Sequence, residues 1–192
     1  VVEINAESRD KLKQAFGISA VADLADGIAN SDVIVLSVKP QQLFELTQKL
    51  APLLSNQLII SIAAGIRAAD LIRWLGGYQR VVRAMPNTPS LVRSGVTGLY
   101  AAAGNSDSDR KNAGSILAAV GSTLWVDDEE MLHAVTAISG SGPAYVFYFI
   151  EAMQQAAIEL GLTAAQARQL SVQTFAGASK LAGTSAEDAA TL

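Results

Sequence analysis

The feature that most constrains the fold is an alternation in the first half of the chain, where short β-branched runs take turns with stretches of helical spacing. That rhythm belongs to a parallel sheet covered by helices. The run Val33-Ile34-Val35-Leu36 is apolar at every position, as a central strand buried on both faces must be. The spacing predicts strands at Val1 to Ile4, Ile18 to Val21, Asp32 to Val38, Gln57 to Ile62 and Arg80 to Ala84. Helices are predicted between them at Glu7 to Phe16, Ala22 to Ala29, Gln41 to Leu50 and Ala68 to Leu75. Gly17 and Gly76 serve as C-terminal stops, and Pro40 fits the first turn of its helix.

A strand, helix and strand follow at Thr97 to Ala101, Asp107 to Val120 and Thr123 to Val126. Asn105, Ser106 and Asp107 offer capping side chains to that helix, and Gly121 ends it. The acidic run Asp127-Asp128-Glu129-Glu130 suits a helix N-terminus, and beyond it strand signals cease. The expected organisation is a first domain at 1–126 and a helical domain at 127–192. Its helices are expected at Glu129 to Ile138, Ala144 to Leu160, Ala164 to Ala182 and from about Ser185 onward. Thr163-Ala164-Ala165-Gln166 and Thr184-Ser185-Ala186-Glu187 both match the capping box. Tyr145 to Glu159 is apolar on nearly all sides, so a subunit partner is the natural cover.

Composition removes several classes of function. The 192 residues carry 14 basic and 18 acidic side chains, a net charge of −4, which argues against a nucleic-acid surface. No cysteine is present, excluding disulfides, thiolate metal sites and thiol nucleophiles. The single histidine, His133, cannot build a His-rich metal site, and no metal is expected. The longest apolar stretch, Pro143 to Ile150, is far short of the ~18 residues of a membrane span. With no charged-then-apolar leader and Val1 in first place, a cytoplasmic protein is expected whose first residue is not its native start.

Ligands of open α/β sheets bind at the C-terminal ends of the strands. Those ends read Glu3-Ile4-Asn5, Ser37-Val38-Lys39-Pro40, Ala63-Ala64-Gly65 and Met85-Pro86-Asn87-Thr88-Pro89. Ala63, Ala64 and Gly65 are small enough for a flat cofactor to approach the backbone, and Lys39 offers a cation to phosphate or ribose. The same residues also suit a tight turn and a solvated helix start. Asn87 and Thr88 lie between two prolines, either an ordinary rigid turn or one that orients a reacting ring. Ser139-Gly140-Ser141-Gly142-Pro143 supplies hydroxyls and close backbone approach, but a nucleophile elbow needs glycine two positions either side of its serine. Ser139 stands where Ser141 would need one, so the hydrolase reading fails.

Taken together, four segments resemble the pyrroline-5-carboxylate reductase family: Ser37 to Pro40, Ser61-Ile62-Ala63-Ala64-Gly65, Arg83 to Pro89, and Ala137 to Phe147. Their joint order and spacing span the chain. The resemblance implies an α/β fold, a Rossmann-like parallel sheet without its first strand, followed by an all-α dimerisation domain. It implies hydride transfer from NAD(P)H to the C=N bond of 1-pyrroline-5-carboxylate, giving L-proline in the last step of proline biosynthesis. Ser37, Val38, Lys39, Pro40, Ala63, Ala64 and Gly65 would line the cofactor, and Met85, Asn87 and Thr88 would lie by the nicotinamide. Ser139, Gly140, Ser141, Gly142 and Pro143 would form the substrate pocket. No catalytic side chain is singled out, since hydride delivery needs two positioned rings and no protein nucleophile.

Glu3 favours the ribose hydroxyls of NAD and repels a 2′-phosphate. Asn5, Ser8 and Arg9 favour that phosphate, with Arg9 its best partner, so NADPH is the expected cofactor, with NAD also admitted. The family's glycine-rich fingerprint and its carboxylate-binding loop fall outside this chain, so the 192 residues alone are expected to show little reductase activity. The alternatives are a β-hydroxyacid dehydrogenase and a non-catalytic, dimeric dinucleotide-binding module. The first usually relies on a helical lysine with asparagine four residues on, where Lys180 has Thr184. The expected partners are a small-molecule substrate and further copies of the chain, not nucleic acid or membrane.

Overall fold

Alternation along Leu58–Ser61 (β2) sets up the interior, because successive side chains of a strand leave on opposite faces. Ile59 enters one core with Leu36, Leu43, Leu50, Leu71, Leu75 and Val81. Leu58 and Ile60 enter the other with Val82, Ala84, Leu99, Ala113 and Leu117. The computed structural model, which describes residues 1–192, covers the first face with α3 (Pro40–Leu50) and α4 (Ala68–Trp74). The second face is covered by α5 (Asp107–Ala118).

Five strands form one sheet in the order β1-β2-β3-β4-β5, with β1 at Val33–Leu36, β3 at Val81–Met85, β4 at Gly95–Ala101 and β5 at Gly121–Trp125. All neighbours pair in parallel except β3 and β4, which are antiparallel. The parallel sheet expected from the sequence forms, with this one reversal. The reversal follows from the link at residues 86–94, which holds only a 3₁₀ turn, Thr88–Val92, and no crossover helix to carry the chain back.

The apolar run Val33–Leu36 forms a strand, but at the end of the sheet rather than its centre, and Val35 is 42% exposed. Strands at Val1 to Ile4 and Ile18 to Val21 reduce to one parallel bridge, Val2 to Val21, beside α1 (Ala6–Phe16) and α2 (Leu24–Ile28). Gly17 ends α1 at φ 67°, its N–H donating to the Lys13 carbonyl.

Contacts divide the chain into Val1–Thr136 and Ala137–Leu192. The first unit extends past Val126 because α6 (Met131–Val135) packs on β4. There Gly98 makes room: a Cβ would lie 2.6 Å from a Val135 methyl. Beyond α6 the predicted helix to Ile138 becomes a π-helical turn, Thr136–Gly140.

The second unit is a hairpin of α7 (Gly142–Glu159) and α8 (Ala164–Thr184). Thr163 and Gln166 form the predicted capping box. No helix forms after Ser185. There Asp188 accepts from the N–H groups of Ala190 and Thr191 and from the Thr191 hydroxyl, a local pattern that competes with helix. The second predicted capping box is absent for a related reason, since Thr184 donates back to the Lys180 carbonyl and closes α8. No residue of α7 is buried in this chain, and no helix is long and apolar enough to cross a membrane.

Candidate dinucleotide site

Strands β1, β2 and β3 run side by side in parallel, so their C-terminal ends open on one edge of the sheet. Three of the sequence-predicted segments leave from that edge. Ser37 to Pro40 follow β1 and lead into α3, where Lys39 is the exposed N-cap and Pro40 the first helical residue. Ala63 to Gly65 follow β2. Ala63 is buried and its N–H donates to Ser61 Oγ at 3.3 Å. Ala64 and Gly65 are exposed, and Gly65 adopts φ 77°, a left-handed turn that an L side chain would strain.

Met85 ends β3 opposite Gly98 of β4. Asn87 fixes the next turn, its Oδ1 accepting from the Val96 N–H at 2.9 Å. Thr88 begins the 3₁₀ turn and is exposed.

Glu3, Asn5 and Arg9 gather at the start of α1. Asn5 Oδ1 caps the helix by accepting from Ser8 N–H at 2.9 Å, while Glu3 Oε1 accepts from Asn5 N–H at 2.8 Å. Arg9 Nη1 donates to the carbonyls of Glu3 and Ile4 at 2.8 and 2.9 Å. The side-chain carbonyl of Asn5 is thus committed to the backbone. In the second unit, Ser139 and Gly140 end the π-helical turn, Ser141 precedes α7, and Gly142 and Pro143 open it. The break between helices read from the sequence narrows to a bend at Ser141, with the π-helical turn before it and α7 after it.

Sequence reasoning missed two charged residues beside this edge. Arg83 sits in the middle of β3 at 8% exposure, and its Nη1 donates to Glu129 Oε1 at 2.6 Å. The same oxygen accepts from the N–H of Ala68, the first residue of α4, at 2.6 Å. Its neighbour Glu130 pairs with Arg67 at 2.7 Å. The signal was available: an arginine within the apolar run Val81-Val82-Arg83-Ala84 demands a buried anion.

Helices on both faces of a largely parallel sheet, with small-residue turns and a rigid polar turn at the strand ends, place the chain in the Rossmann-type class of dinucleotide-binding proteins. Residues 1–65 match the family described as NADP oxidoreductase coenzyme F420-dependent, and residues 129–192 match pyrroline-5-carboxylate reductase dimerisation. A pyrroline-5-carboxylate reductase of Pseudomonas aeruginosa is 50% identical over 97% of the chain and 69% of its own length. That of Haemophilus influenzae is 45% identical over 79% of the chain, which spans 56% of that relative. Among solved structures, the Coxiella burnetii reductase superposes with a TM-score of 0.92 at 40% identity, covering 98% of this chain and 70% of that one. The Plasmodium falciparum enzyme with NADP bound gives 0.83 at 30% identity, covering 89% and 65%. The chain belongs to the pyrroline-5-carboxylate reductase family of NAD(P)H-dependent oxidoreductases.

Proposed function

We propose that this chain supplies the cofactor-binding and dimerising parts of a reductase that converts 1-pyrroline-5-carboxylate to L-proline. The observation that carries the reading is 50% identity across 97% of the chain to a reductase of that name. It is joined by a strand-end edge whose chemistry suits the task. Ala64 and Gly65 place nothing larger than a methyl on the turn after β2, so a flat nucleotide meets backbone there. The exposed ammonium of Lys39 is complementary to phosphate. Met85, Asn87 and Thr88 form the wall for the nicotinamide, and Asn87 spends its carbonyl on Val96 to keep that wall rigid.

NADPH is the proposed cofactor, in keeping with the NADP bound to the Plasmodium relative, and when bound it supplies the hydride. Reduction of the C=N bond takes a hydride to its carbon and a proton from solvent to its nitrogen, and the residues at the strand ends would hold the nicotinamide for that transfer. Ser139, Gly140, Ser141, Gly142 and Pro143 supply the substrate-facing surface. Family membership sets aside the hydroxyacid dehydrogenase reading.

The apolar helix α7, with Tyr145, Phe147, Tyr148 and Phe149 all more than half exposed, is proposed to be covered by a second copy of the chain. The test of the reaction is oxidation of NADPH and of NADH, separately, by the protein at the full length of its relatives on adding 1-pyrroline-5-carboxylate. Faster oxidation of NADPH is expected. No oxidation of either by a folded protein would overturn the reading.

A further inference from the structure

We infer that Arg83 and Glu129 are positioning residues of the reductase, tying the turn after β2 to the strand that presents Met85, Asn87 and Thr88. The inference rests on the reading that these two turns face the dinucleotide. One carboxylate oxygen, Glu129 Oε1, holds both parts: it accepts from Arg83 Nη1 and from Ala68 N–H, each at 2.6 Å. Ala68 opens α4, so the bond anchors the far end of the turn that contains Ala63, Ala64 and Gly65. Its near end is anchored by Ser61, which lies in register with Arg83 and whose Oγ accepts from Ala63 N–H.

The side chains of Arg83 and Glu129 are 10% and 19% exposed. A buried ion pair stabilises no more than apolar residues of the same volume. What it adds is direction, because charge-assisted bonds are short and hold an angle that methyl groups do not. Without Glu129, Arg83 is left as an unmatched cation in the sheet, and the Ala68 N–H loses its acceptor. The turn after β2 then moves relative to β3, and the two walls facing the dinucleotide lose their spacing. Neither residue is placed in contact with the reacting atoms, so the effect passes through the turns.

The test compares Glu129→Ala and Glu129→Gln in the full-length enzyme with Asp109→Asn, which removes the ion pair to Arg80 just before β3. Glu129→Ala is expected to raise KM for NADPH about tenfold with kcat changed less than about threefold. Asp109→Asn is expected to lower the melting temperature and leave KM alone. A Glu129→Ala protein that melts earlier but keeps its KM overturns the inference, since a purely structural role predicts that result. If Glu129→Ala does not fold, Glu129→Gln is read instead. It keeps an acceptor oxygen without the charge, and a rise of about threefold in KM is expected; an unchanged KM overturns the inference.

If the unmutated enzyme oxidises neither nucleotide, the functional reading fails, and amide exchange at Ala68 decides the anchoring. Exchange about tenfold faster in a Glu129 variant is expected, and unchanged exchange overturns the anchoring.

Discussion

Arg80 and Arg83 both meet carboxylates, one just before β3 and one in its middle, with different consequences. Arg80 Nη2 lies 2.5 Å from Asp109 Oδ1, and Asp109 is almost wholly buried at the start of α5. The hydrogen bond from Arg80, aided against burial by the Ser106 backbone and hydroxyl, holds the Asp109 pKa down at about 2 from an ordinary 3.8. A depressed carboxylate stabilises the fold in full above its unfolded value and loses that contribution as pH falls through its folded value. Asp109→Asn should therefore cost about 2 kcal/mol at neutral pH. In urea melts, the gap from the unmutated chain should close between pH 3.8 and about 2. A gap independent of pH would contradict the pairing. At α1, Arg9 already reaches the carbonyls of Glu3 and Ile4, which places its guanidinium beside the proposed ribose position. Arg9→Met in the full-length enzyme should raise KM for NADPH about tenfold while moving that for NADH less than about twofold. Equal changes would remove Arg9 from the phosphate site.

At the scale of elements, α6 and β4 touch through a missing side chain. A methyl at Gly98 would enter the space of Val135, so Gly98→Ala should destabilise the first unit by about 1–3 kcal/mol. An unchanged thermal midpoint would show that α6 is free to shift. This element also marks a limit of legibility. The alternation of apolar runs and helical spacing located all five strands of the sheet and all the longer helices, because both periods reflect burial against a sheet. The antiparallel turn of β4 was not legible, since it depends on how little chain lies between Met85 and Gly95. The acidic residues 127–130 were read as dipole partners of their own helix. In the structure, Glu129 instead serves Arg83 and Ala68, far away in sequence, and local spacing carries no record of such a partner. Of the candidate site, the turns after β1, β2 and β3 were visible as motifs, and the ion pair behind them was visible only as an arginine out of place.

For the whole molecule, the contrast between units is one of coverage. The first encloses two cores around its sheet, whereas α7 buries none of its residues in this chain. Exposed aromatic side chains of that number rarely persist on a monomer. Sedimentation at micromolar concentration should give a dimer or a larger closed assembly, and Phe147→Glu should dissociate it. A monomer in the unmutated protein would leave the helix without the cover proposed for it.

The left-handed turn at Gly65 bears on how a library of variants would be screened. Its φ of 77° strains every residue but glycine, although a Cβ placed there would meet nothing within 4 Å. A screen that reads steric fit alone would pass alanine at this position, and one that reads the backbone would reject it.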